Sequence, residues 1–149
     1  GTVFASKPLH YNGNLIEDFS LTFRDGKVVG YDAEQGHEHL KELLETDEGA
    51  SYLGEVALVP HDSPISQSGI LFYNTLFDEN ASCHLALGKA YPTCIENGEN
   101  MTEDELRQHG VNHSIVHEDF MIGTADLTVI GRTSSGETVT IMEDGNFAF

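Results

Sequence analysis

Positive charge is scarce in this sequence: seven Lys and Arg stand against 25 Asp and Glu, a net charge of −18. So acidic a surface repels phosphate backbones and anionic lipid head groups, which disfavours nucleic acid and membrane partners. Cations are favoured instead, either metal ions or small molecules with a free amine. Cysteine is scarce as well. Cys83 and Cys94 form no C-x-x-C pair, which argues against zinc-finger and thioredoxin chemistry and leaves two reduced thiols of the kind expected in a cytoplasmic protein. No apolar run approaches the roughly 20 residues needed to cross a bilayer, and no basic start precedes a short apolar stretch as in a signal peptide. Internal repeats, low-complexity tracts and phosphate-cradling glycine loops are missing too. No G-x-S-x-G elbow frames Ser63 or Ser66, so a serine nucleophile is not indicated.

What remains is a chain of 149 residues, 39% hydrophobic, enough for one domain with a core that needs no disulfide. Because it begins at Gly1 rather than Met, an upstream portion is expected. From Leu15 to Tyr31, Phe19, Leu21 and Phe23 alternate with polar residues, Asp25-Gly26 turns, and Val28, Val29 and Tyr31 return: a β-hairpin. A second hairpin is expected where Leu127, Val129 and Gly131 face Val139 and Ile141 across Thr133–Gly136. Leu40, Leu43 and Leu44 share one side of an amphipathic helix from about Gln35 to Glu45. The stretch Asp78 to Tyr91 reads as a second helix, capped by Asp78 and stopped by Pro92. Thr102-x-x-Glu105 is a capping box opening a third, which runs to about His109 and ends at Gly110. Ser114 to Ile122 is extended. The fold class implied is α+β, with a mainly antiparallel or mixed sheet and two or three helices.

Four side chains stand out as candidate metal ligands, each of which could instead be a structural or solvent-facing residue. Glu55 interrupts the apolar run Val56-Ala57-Leu58-Val59, which aims a carboxylate at the interior or at a cleft. His84 and Tyr91, seven apart, share a face of the expected helix and point into one space. His117 and Asp119, two apart on a strand, project from one side. Two imidazoles with two carboxylates suit zinc, cobalt or manganese. The His37-Glu38-His39 triplet is better explained as a solvated helix face, His61 and Asp62 as turn residues or partners of ligands, and Cys83 as core packing. A calcium module is disfavoured, since there is no Asp-x-Asp-x-Asp-Gly loop.

The words Gly54-Glu55-Val56-Ala57-Leu58-Val59-Pro60-His61-Asp62-Ser63-Pro64-Ile65-Ser66, Leu71 through Gly88, and Asn112 through Gly123 strongly resemble the aminopeptidase T family, which includes aminopeptidase S and the thermophilic aminopeptidases. The likeness runs to Phe149. It implies a metal-dependent aminopeptidase acting on peptides through a water activated by two divalent ions, zinc or cobalt among them. Glu55, His84, His117 and Asp119 match the family's ligands and Tyr91 its active-site tyrosine; Glu55 is also the candidate proton shuttle. The resemblance further implies a homodimer, an N-terminal domain and one more glutamate ligand, both lying before Gly1. On that basis residues 1–149 are a C-terminal catalytic domain. The rival reading is a folded scaffold or dimerisation module, inactive in isolation.

Overall fold

In the computed structural model, which describes residues 1–149, two short strands, β1 (Thr2–Phe4) and β2 (Leu9–Tyr11), precede the long strand β3 (Asn14–Arg24). This strand turns at Asp25-Gly26 into β4 (Lys27–Gln35). Both turn residues have positive φ, 51° and 80°, the two-residue turn whose twist suits a hairpin. β1 and β2 pair antiparallel with different parts of β3, and β4 pairs antiparallel along most of its length. Asp18, at φ 47°, breaks the simple alternation of β3. Ile16 can thereby face the core along with Phe19 and Leu21, a change of phase like that of a bulge.

After this sheet come α1 (His37–Leu44), β5 (Leu53–Ala57), two short helices, α2 (Pro64–Ser68) and α3 (Thr75–Asp78), and β6 (His84–Gly88). Then follow α4 (Glu103–Gln108), β7 (His117–Met121), and a terminal three-stranded sheet of β8 (Val129–Arg132), β9 (Thr138–Glu143) and β10 (Asn146–Phe147). The first and last hairpins, α1 and the capping box of α4 form where the residue pattern places them. The architecture is α+β with antiparallel sheets. It has four α-helices, because α2 and α3 are too short to show an apolar period.

The expected helix Asp78–Tyr91 does not exist. Asp78 ends α3, whose cap is Asn74 accepting from the Leu76 N–H at 3.1 Å. The Asp78 carboxylate accepts instead from the N–H groups of Phe72 and Asn74. A 3-10 turn at Glu79–Ala81 leads into β6, the middle strand of the sheet β5-β6-β7. All five residues of β6 are buried, so both faces are apolar or packed and the sequence lacks the alternation that marks a half-exposed strand. Ala81, Leu85 and Ala86 mimic helical spacing for that reason. Pro92 accordingly stops no helix; it opens a 3-10 turn, Pro92–Cys94.

The core lies between the first sheet, α1 and one face of β5-β6-β7, where Ile16, Phe19, Leu21, Leu40 and Leu43 meet Leu85, Leu87 and Phe120. Phe19 and Phe120 hold ring centroids 5.7 Å apart across it. Leu85 and Leu87 take the core side of β6, so His84 and Ala86 take the other, as alternation requires.

Asp47, after α1, fixes the entry to β7. It accepts from the Ile115 N–H at 2.7 Å, the Ser114 hydroxyl at 2.9 Å and the Ala50 N–H at 2.8 Å. These bonds, the Ile115 N–H foremost, hold its pKa below the ordinary carboxylate value. A depressed native pKa means stabilisation present above the unfolded pKa and lost as pH falls through the native one. Asp47→Asn is therefore expected to cost about 1 kcal/mol at pH 7, with partial solvent access reducing the full value of charged hydrogen bonds. Urea unfolding should show that difference closing as pH drops through the carboxylate range.

Candidate metal centre

The registers Glu55↔Ala86↔Asp119 and Ala57↔His84↔Met121 put Glu55, His84 and Asp119 on the same face of the three-stranded sheet, opposite the core. His117, across from Gly88, joins them. Each of Glu55, His84 and Asp119 offers a ligand atom within 4.8 Å of the others. The Nε2 of His84 lies 3.3 Å from Glu55 Oε1, and the Nε2 of His117 lies 3.6 Å from Glu55 Oε2 and 3.4 Å from Asp119 Oδ1. His84 and Asp119 are buried, while Glu55 is half-buried at the rim.

The hydrogen bonds of the two imidazoles decide what the cluster can hold. His84 Nδ1 is 3.1 Å from the Ser82 carbonyl oxygen and His117 Nδ1 is 2.6 Å from that of Lys89. A carbonyl can only accept, so both Nδ1 atoms carry the proton and donate. Each neutral ring then presents the bare lone pair of Nε2 to carboxylate oxygens, and acceptor faces acceptor unless a cation stands between them. Asp119 Oδ1 is buried and has no hydrogen-bond donor. A divalent ion fits this donor set; in its place a proton does. The Asp119 carboxylate, together with the Lys89 carbonyl and Glu55, accordingly raises the His117 pKa to about 9 against the opposing effect of burial.

Two further carboxyls feel the centre. Burial raises the pKa of Glu79, and so does the neighbouring Asp119 carboxylate, with His84 opposing the shift and Glu55 adding to it. Glu79 is a potential ligand that sequence reasoning misses. On a helix it would point about 140° away from His84, five residues on, and so outside the cluster; the 3-10 turn and strand bring it in. Glu118, on the opposite side of β7, is raised to about 7 by burial and by the Asp119 charge.

Tyr91 follows β6 on a loop, and its ring packs on His117 rather than on His84, with centroids 4.8 Å apart. The expectation that Tyr91 and His84 share a helix face is thus corrected along with the helix. The His37-Glu38-His39 triplet stays on the outer side of α1, where His39 meets Glu42 at 3.2 Å. His61 and Asp62 make no hydrogen bond or ion pair with the cluster; their main chain is tied to Gly145 and Asn146. Ser63 caps α2 and is not a nucleophile in this arrangement. Cys83 is buried, its sulfur 3.4 Å from that of Met142, and Cys94 is exposed; they form no disulfide with each other.

A sheet face with two oriented imidazoles and convergent carboxylates can be compared with known proteins. The family model for thermophilic metalloproteases (M29) matches residues 1–147. The chain belongs to the M29 metalloprotease family. Aminopeptidase 2 of Geobacillus stearothermophilus is 63% identical over 149 residues, and Aminopeptidase AmpS of Bacillus subtilis 59% identical. The solved structure of wild-type AmpT from Thermus thermophilus superposes on the whole chain with a TM-score of 0.91 at 45% identity. In all three the chain covers 36% of the relative's length. The M29 assignment agrees with the divalent-metal chemistry of the donor set; no helix in the fold is long and apolar enough to cross a membrane.

Proposed function

We propose that the complete protein is a cytoplasmic metallo-aminopeptidase that releases N-terminal residues from peptides, and that residues 1–149 form its C-terminal catalytic domain. The observation that carries this reading is the pair of imidazoles held by backbone carbonyls with Nε2 aimed at carboxylates. The names and M29 membership of its relatives support it. Glu55, His84, His117 and Asp119, joined by Glu79, would hold two divalent ions of the zinc or cobalt type. Bound there, such ions would lower the pKa of a water from about 15.7 toward about 7 and would polarise the scissile carbonyl.

The chain's own residues do the rest. Glu55, half-buried between the imidazoles, takes the proton of the attacking water and passes it to the leaving amine. Tyr91 donates its phenolic hydrogen to the oxyanion formed at the carbonyl. The Ser82 and Lys89 carbonyls keep both rings in the tautomer that leaves Nε2 free. Burial of His84 and Asp119 keeps bulk water from competing for the centre. For the 149-residue piece alone we propose a scaffold that binds metal weakly, with a further glutamate ligand supplied by another part of the complete protein; a homodimer is the proposed assembly.

The complete protein should hydrolyse leucine amide, lose that activity to a chelator and recover it with zinc or cobalt. The same protein carrying His84→Ala should not recover. Undiminished turnover by that variant, or inactivity of the reloaded wild type, would overturn the assignment.

A further inference from the structure

β6 ends at Gly88, and Lys89, Ala90 and Tyr91 after it belong to no helix or strand, yet two of them serve the metal centre. The Lys89 carbonyl accepts from His117 Nδ1, and the Tyr91 ring packs on the His117 ring. With no helix or strand of its own, this segment takes its direction from bonds to other parts of the chain. A trans peptide unit is planar, so its carbonyl and its N–H point in opposite directions, and a bond made at one aims the other. The unit joining Gly88 to Lys89 is held at both ends. Its oxygen accepts from Asn112 Nδ2 at 2.6 Å, and its N–H donates to the Val116 carbonyl at 2.7 Å. The next unit carries the oxygen that serves His117, and its N–H, on Ala90, donates to the Asn112 carbonyl at 3.0 Å. Asn112 thus holds both units, one through its side chain and one through its main chain.

We propose that Asn112 is a positioning residue of the metal centre, its amide fixing the exit of β6 so that the Lys89 carbonyl meets His117 Nδ1 and Tyr91 lies against the same ring. The inference rests on the aminopeptidase reading above and adds to it a residue that acts through Lys89 and Tyr91.

The residue type suits the task. Both partners of Nδ2 are carbonyl oxygens, Gly88 at 2.6 Å and Gly49 at 2.9 Å, and carbonyls only accept, so the amide turns its two hydrogens toward them. The second bond gives the first a fixed footing, because Gly49 is buried in the 3-10 turn Gly49–Ser51. No other uncharged side chain of this length offers two hydrogens from one atom. Alanine at this position leaves both oxygens without that donor, and the unit between Gly88 and Lys89 is then held at one end only.

The test is made on the complete protein with Asn112→Ala, with Asn112→Ser as a milder variant that keeps one donor, and with Gly26→Ala as the measure of what lost stability alone does. Zinc affinity is read by competition with a chelating dye, the arrangement of ligands by the visible spectrum of the cobalt-loaded protein, and catalysis by kcat and KM on leucine p-nitroanilide at saturating metal. Asn112→Ala should bind zinc about tenfold more weakly, the low end for groups that orient a ligand. Its cobalt bands should differ from those of wild type in position or intensity. The value of kcat should fall by a similar factor at unchanged KM, because His117 and Tyr91 act at the reacting carbonyl and not on the rest of the substrate. Asn112→Ser should fall between the two and carries the test should alanine prevent folding; Gly26→Ala should match wild type throughout. Wild-type zinc affinity and cobalt spectrum in the Asn112 variants, equal changes in Gly26→Ala, or a rise in KM at unchanged kcat would overturn the inference while the aminopeptidase reading stands. A wild type that binds metal but hydrolyses nothing overturns the aminopeptidase reading, and the zinc affinities and cobalt spectra then still decide whether Asn112 positions the centre. A wild type that binds no metal overturns both.

Discussion

Zinc or cobalt added to the metal-free complete protein is expected to stabilise it against urea by about 4 kcal/mol at a thousandfold excess over Kd, and Asp119→Asn to remove that gain. The size follows from mass action, since an ion that binds the native cluster and not the unfolded chain draws the equilibrium toward the native state. Asp119 is the residue to change because it is 4% exposed and its Oδ1 has no donor, so nothing but a cation or a proton satisfies it. Asparagine has nearly the same shape and no charge. In the metal-free state at neutral pH the variant should unfold at a lower urea concentration than wild type, because the His117 imidazolium loses the carboxylate that raises its pKa to about 9, and this difference should close as pH rises through that value. Hydrolysis should fall by at least about 100-fold, since loss of a group that merely orients a ligand already costs 10–100-fold. A metal-dependent shift of the urea midpoint equal in both proteins would show that Asp119 holds no ion.

The residues that make this site were visible in the sequence for reasons that differ from one to the next. His117 and Asp119 were legible because β7 is a strand with mixed polarity, and alternation alone puts residues two apart on one side. Glu55 was legible because a carboxylate in an apolar run needs a partner. His84 lies beside Glu55 and Asp119, but on a strand and not on the helix its spacing suggested. A central strand buried on both faces carries no period, and Ala81, Leu85 and Ala86 filled the gap with an accidental helical one. The same error hid Glu79, whose place depends on a 3-10 turn of three residues. Hairpins and caps succeeded because their signals are local: two positive-φ residues at Asp25-Gly26, and a reciprocal pair of bonds between Thr102 and Glu105.

Gly88→Ala is expected to cost about 3 kcal/mol or more of stability, and the site would be disturbed with it. At φ 94° the residue occupies backbone space that L side chains avoid, at a penalty of about 1–2 kcal/mol. A Cβ there would also stand 2.2 Å from the Val116 carbonyl oxygen and 2.9 Å from its carbon, main-chain atoms that no rotamer change can move. Gly26 separates the two effects. Its φ is 80°, yet a Cβ would meet nothing within 4 Å, so Gly26→Ala should show the conformational penalty alone. The excess at Gly88 then measures the close approach of β6 to the start of β7. That approach serves the metal centre directly. The Val116 carbonyl accepts from the Lys89 N–H at 2.7 Å, and the Lys89 carbonyl accepts from His117 Nδ1. Pushing Val116 away loosens Lys89, and with it the bond that keeps the His117 Nε2 lone pair toward Asp119 and Glu55. Metal affinity should accordingly fall by about 10–100-fold in Gly88→Ala, as for loss of other groups that orient a ligand, and remain at the wild-type value in Gly26→Ala. Competition with a chelating dye reads both variants. Equal metal affinities in the two would mean that the glycine at position 88 serves only the packing of the sheet, and that His117 holds its orientation without Lys89.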